Sequence, residues 1–287
     1  MPRGSLALTF DDAYVEDDEQ IRPVLDERSV PASLAVTPEF LGPPDNLTPE
    51  RLAELADDGW EVMAHGRRHR YLGTHRLAAD AAPGDERVAL DSGHVFPGED
   101  HGVYPGDEFE VTDGIRAEAY VLAGKSERDG TPTMTFETAL DADFAAGETV
   151  VRPAESQIRD EVVGAGEGLR ERGFEPSTFV FPYDAADPRA WQLAADRYDA
   201  VADAVVRSLP NPPGTPPSAL GRYYLETDAL TMVEIETYLD AVAETGGVGI
   251  LAGHTAWETV PPERVAAVVD AAFERDVQVT TVRDAVE

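Results

Sequence analysis

Seven short apolar runs, each closed by polar or turn residues, fall at 6–10, 32–36, 61–64, 178–181, 200–203, 248–252 and 277–281. Their length and enrichment in Val, Leu, Ile, Phe and Ala fit strands buried on both faces. Helical patterns lie between them. Thr48-Pro49 supplies a cap and first position with Gly59 as a stop, Thr231 and Glu234 form a capping box, and helices fit 156–172, 188–198 and 262–275. Strands that alternate with helices are expected to be parallel, because parallel neighbours need a crossover connection. Seven of them predict an α/β fold with a barrel-like sheet, whose strand-following loops converge on one mouth. Reactive groups should then stand just after the apolar runs.

The rhythm fails between residues 76 and 155, where Gly, Asp and Pro are frequent and apolar residues alternate with polar ones. This stretch reads as a β-rich insertion, with strands at 117–122 and 133–137 and a turn signal at Arg128-Asp129-Gly130. The expected organisation is therefore a catalytic barrel in two parts, 1–75 and 156–287, separated by the insertion at 76–155.

Several classes are disfavoured by composition. Fifty-six acidic against 23 basic residues give a net charge of -33, and Lys125 is the single lysine. No clustered basic face is available for nucleic acid. The global acidity reads as adaptation to high salt, where self-repulsion is screened. There is no cysteine, so a metal site must use His and carboxylate. No apolar run approaches a membrane span, and strand-like sequence begins at Leu6, which leads to the expectation of a cytoplasmic chain without membrane contact.

Four features occupy the ends of apolar runs. Asp11 and Asp12 follow the first, and adjacent side chains on an extended backbone would face opposite ways. One carboxylate could bind a metal while the other acts as a base. His65 and His69 follow the third, at a spacing that would put both imidazoles on one face of a helical turn. Pro182-Tyr183-Asp184 follows the fourth run, and His254 the sixth.

Thr9-Phe10-Asp11-Asp12, the His65/His69 pair, Phe181-Pro182-Tyr183 and Leu251-Ala252-Gly253-His254 resemble, in order and placement, the motifs of the polysaccharide deacetylases, carbohydrate esterase family 4. The resemblance covers about residues 5–75 and 156–287. It implies a distorted (β/α)7-type barrel that removes acetyl groups from N-acetylated sugars with a divalent metal, zinc first, with cobalt, nickel or iron also suited to the donor set. Carried over, Asp12, His65 and His69 hold the metal, Asp11 is the base, the Tyr183 backbone N–H serves the oxyanion and His254 protonates the departing amine.

This chain departs from the family pattern in three places. Val180 stands where an Arg usually precedes the Pro, Gly66 replaces a Ser or Thr, and no Asp-Trp fourth motif is visible. Arg222 is the candidate substitute for the missing Arg. Trp257, with Tyr14, Tyr71 and Trp191, could stack on sugar rings, and a second metal site at His75, His94 and His101 is disfavoured for want of ligand spacing. An N-acetylated carbohydrate is the expected partner, and the insertion could serve homo-oligomerisation. Two alternatives stay open: a small-amide or cyclic-imide hydrolase on the same barrel, and a non-catalytic carbohydrate-binding or assembly protein.

Overall fold

In a computed structural model of the chain, residues 4–91, 102–203, 205–206 and 208–287 are described, the side chains of 205 and 206 excepted. His94 and His101 lie outside the described residues. Three strands open the fold, β1 (Ser5–Asp11), β2 (Ser33–Val36) and β3 (Glu61–Ala64), with helices α1 (Arg22–Asp26) and α2 (Pro49–Asp57) in the intervening connections. Six strands follow: β4 (His75–Leu77), β5 (Arg87–Asp91), β6 (Glu108–Thr112), β7 (Ala117–Arg128), β8 (Thr131–Phe136) and β9 (Val150–Pro153). The chain then alternates again through α3 (Glu155–Arg170), β10 (Thr178–Phe179), α4 (Pro188–Arg197), β11 (Ala200–Val201), β12 (Val205–Val206), β13 (Gly221–Tyr224), α5 (Met232–Thr245), β14 (Val248–Gly253), α6 (Pro262–Glu274), β15 (Gln278–Thr280) and α7 (Val282–Val286).

Two units result. The first comprises residues 1–68, 162–184 and 194–287, and the second comprises 69–161 with 185–193. In the first, parallel strands run in the order β11-β10-β3-β2-β1-β14-β13-β12. One edge of β1 is shared by two partners: Ser5–Ala7 pair with β15, and Thr9–Asp11 pair with β2, while β14 lines the other edge throughout. This split makes the curled sheet of a distorted α/β barrel. Its interior is apolar, with Ala7, Ala35, Met63, Val180 and Ile250 clustered and buried.

All seven expected runs contain a strand, and the differences in extent have local causes. The run 178–181 yields only two strand residues, because the Phe181 N–H leaves the ladder and donates to the Asp203 carboxylate at 2.6 Å. Strands β12 and β13 went unforeseen. β13 buries an arginine, Arg222, inside a four-residue strand, so it does not read as apolar.

The second unit is a closed barrel in the order β4-β5-β8-β7-β6-β9, with antiparallel pairing. The expected hairpin is β7 to β8, closed by Asp129 and Gly130 at φ 52° and 78°, the left-handed pair that a tight two-residue turn requires.

Candidate active site

Because the strands of the first unit are parallel, the C-terminal ends of β1, β3, β10, β11, β13 and β14 share one edge of the sheet, the edge at which such folds place their chemistry. Asp11 is the last residue of β1, and its buried carboxylate receives two hydrogen bonds from Arg222, 2.9 Å from Nη1 to Oδ1 and 2.7 Å from Nη2 to Oδ2. Arg222 Nε also donates to Asp184 Oδ1 at 2.9 Å. Burial alone would raise the pKa of Asp11, but the guanidinium, assisted by the nearby imidazoles, holds its carboxyl well below the usual carboxylate range. Arg222, the candidate substitute for the arginine expected at position 180, thus reaches Asp11 from another strand.

Asp12 leaves the strand. Its φ of 73° and that of Ala13, 55°, are left-handed, so the two carboxylates diverge through a turn and not through strand alternation as expected. Such conformations in residues with side chains cost of order 1–3 kcal/mol each and persist where the surroundings hold them. Here the Asp12 N–H donates to Ala35 O at 2.9 Å, Asn46 Nδ2 donates to Asp12 O at 2.8 Å, and the Tyr14 hydroxyl donates to Oδ2 at 3.2 Å. Burial pushes the Asp12 carboxyl up, opposed by the imidazoles of His65 and His254.

The expected helical turn at 65–69 is absent. Gly66 at φ 68° and His69 at φ 59° make a left-handed loop, which brings the two imidazoles together by a route other than helical spacing. One ligand atom from each of Asp12, His65 and His69 lies within 4.8 Å of the others. His65 Nδ1 sits 2.9 Å from Val180 O, and since a carbonyl only accepts, Nδ1 carries the proton and Nε2 is left facing the carboxylates, 3.9 Å from Asp12 Oδ1. Two imidazoles and one carboxylate at this spacing fit a divalent ion with open positions.

His254 follows β14, with Nδ1 3.2 Å from Glu226 Oε1 and its ring stacked on Trp257 at 3.9 Å between centroids and 12° between planes. Burial would lower its pKa, but the hydrogen bond to Glu226 and the charges of Asp11 and Asp12 outweigh this and raise it. Trp257 is half exposed beside the ring. Tyr183 has a left-handed backbone at φ 62° in the turn after β10, followed by Asp184 at φ 50°.

Two participants escaped the sequence reading. Asp203, just past β11, fixes the start of the 181–184 turn through the Phe181 N–H, and burial pushes its pKa well above the ordinary carboxyl value. Its signal was present, an acid at a strand end, but it reads as the last residue of the run. Glu226 lies beyond β13, a strand too polar to announce itself. The loop carrying Glu226 is held by the buried Arg264, which donates to the carbonyls of Leu225, Glu226 and Leu230.

The N-terminal segment, with the DD turn and both histidines, matches the family model for polysaccharide deacetylase. The match spans residues 1–86. Similarity of fold extends over the whole chain: a family 4 carbohydrate esterase from Streptomyces lividans, in complex with acetate, superposes with a TM-score of 0.53 at 10% identity, covering 97% of this chain and 93% of that one. The chitin deacetylase of the fungal pathogen Colletotrichum lindemuthianum gives 0.52 at 15% identity, covering 99% and 88%. No curated protein matches the chain. Among the described residues no helix is long and apolar enough to cross a membrane.

Proposed function

We propose that this deacetylase-like chain is a metal-dependent hydrolase that removes N-acetyl groups from an acetamido sugar or polysaccharide. The observation that carries the reading is the division of labour between adjacent carboxylates: Asp12 stands with two imidazoles, while Asp11 is locked to Arg222. Asp12, His65 and His69 would hold a divalent ion, zinc first among the candidates, and such an ion supplies Lewis acidity to the amide carbonyl and the attacking water.

The remaining steps belong to the chain's own residues. Asp11, kept ionised and oriented by Arg222, accepts the proton that the attacking water gives up. The Tyr183 backbone N–H is the proposed donor to the oxygen that becomes negative as the amide carbon turns tetrahedral. An amine departs only when protonated. His254 supplies that proton from Nε2, because Glu226 occupies Nδ1 and favours the charged ring. Trp257 offers an apolar face beside His254 for a sugar ring.

The experiment is acetate release from N-acetylglucosamine oligomers in molar KCl, with metal content measured on every sample. Wild type should release acetate, chelated protein should stop and recover on adding zinc, and Asp11→Asn should stop with metal still bound. A metal-loaded wild type that releases none would overturn the acetamido-sugar reading, and failure to retain any divalent ion would overturn the metal site.

A further inference from the structure

Asp17 lies five residues beyond Asp12, at the first position of a π-helical turn, Asp17–Ile21. It is fully buried. Its Oδ1 accepts a hydrogen bond from the Thr255 hydroxyl at 2.7 Å, and its Oδ2 has no hydrogen-bond partner among the described residues. A buried carboxyl with one oxygen idle is costly, and π-turns of this kind concentrate at functional sites. Nothing in the catalytic scheme above uses it.

Its place in the connectivity supplies a reason for it. Strands β1 and β14 are paired in register as far as Phe10 and Gly253; β1 ends one residue later at Asp11, and the two segments that then leave the sheet carry Asp12 and His254. The bond from Thr255 to Asp17 is a side-chain tie between those two departing loops, adjacent in sequence to the histidine. Among the described residues no backbone hydrogen bond joins the two segments beyond Gly253.

We propose that Asp17 is a positioning residue for His254: by accepting the Thr255 hydroxyl it fixes the loop that presents the imidazole to Glu226 on one side and to the reacting amine on the other. The inference rests on the deacetylase reading for its catalytic consequence, but not for its geometric one. Burial, with Asp12, Glu16 and Asp11 adding to it and the Thr255 hydroxyl opposing it, pushes the Asp17 carboxyl well above its ordinary value. An amide oxygen can accept the Thr255 hydroxyl as a carboxyl oxygen does, whereas an apolar side chain cannot.

The test compares Asp17→Asn, Asp17→Leu, Thr255→Val and the Leu/Val double variant, using kcat, KM for N-acetylglucosamine oligomers, metal content, and the NMR titration of the His254 ring. Asp17→Asn should stay within about two-fold of wild type. Asp17→Leu and Thr255→Val should each lower kcat by about ten-fold at nearly constant KM and metal content, and the double variant should be no worse than either single one. Their His254 titration should move towards the ordinary imidazole value as its bond to Glu226 loosens. Unchanged kcat and unchanged His254 titration in folded Thr255→Val would overturn the proposal, as would a loss in Asp17→Leu that follows loss of metal. Should wild type release no acetate, the deacetylase reading fails, and the ring titration alone still decides whether Asp17 positions His254.

Discussion

Arg222 and Asp11 are both buried, so water cannot take the place of either charge when its partner is removed. Breaking a buried, hydrogen-bonded ion pair from one side costs about 3–5 kcal/mol because the survivor is left uncompensated. Arg222→Met is therefore expected to lower the unfolding free energy measured in urea by an amount in that range and to reduce acetate release at least 100-fold. Arg222→Lys should not restore either, since one ammonium cannot reproduce two parallel bonds to Asp11 plus a third to Asp184. Recovery by lysine would show that charge alone suffices. Asp17 gives the opposite kind of prediction. Its folded-state pKa is raised, so on increasing pH the unfolded chain ionises first, near 3.9, and stability falls until the folded value is passed. Asp17→Asn lacks that slope: denaturation of metal-free protein at pH 4 and pH 7 should show the variant gaining on wild type as pH rises. A constant difference between the two pH values would mean that Asp17 ionises normally.

At the opposite edge of the sheet, the first residues of three neighbouring strands converge on one side chain. Glu61 of β3 accepts from Ser33 Oγ of β2 at 3.0 Å, from Thr178 Oγ1 of β10 at 2.6 Å, and from the Arg283 N–H in the first turn of α7 at 2.9 Å, while the Val282 N–H donates to Ser33 Oγ. Removing this acceptor leaves several buried donors without a partner, at about 1–3 kcal/mol for each strongly affected group. Glu61→Ala should lower the urea midpoint by about 2–4 kcal/mol equivalent, leave metal affinity intact, and be matched by removal of residues 282–287 with little added effect in combination. Additive losses would show that Glu61 and α7 act separately. These elements also show what sequence could convey. Strands β1, β2, β3 and β14 are buried on both faces, so hydrophobic burial writes them as unbroken apolar runs, and the capping box at Thr231 marks α5 to the residue. β13 carries the arginine on which Asp11 depends, and a strand that buries a charge cannot be found by looking for apolar runs. Asp12 and His69 were legible as candidate ligands by type and order, but their convergence depends on left-handed backbone at both positions, which spacing rules do not encode. Glu226 was invisible for a third reason, because its partner His254 is 28 residues away along the chain.

On the scale of the whole chain, 56 acidic residues against 23 basic ones set two electrostatic effects against each other. Specific pairs such as Arg28 with Asp270 and Arg275 with Asp240 attract, but they lie at the surface, where such pairs are worth about 0–1 kcal/mol. Repulsion among the surplus carboxylates is spread over the molecule and grows with compactness. Salt weakens both, and the surplus decides the sign. At 0.1 M ionic strength charges interact over about 10 Å, and at 1 M over about 3 Å, so most of the repulsion should be screened before 1 M is reached. The expected outcome is that the thermal midpoint of the metal-loaded protein rises steeply with KCl up to about 1 M and then flattens, with NaCl giving the same curve. A midpoint that falls with KCl would mean that the arginine pairs outweigh the repulsion. A rise that continues linearly to several molar, and is much steeper in potassium sulfate at equal ionic strength, would instead assign the stabilisation to exclusion of salt from apolar surface, and the acidity of this chain would need another explanation.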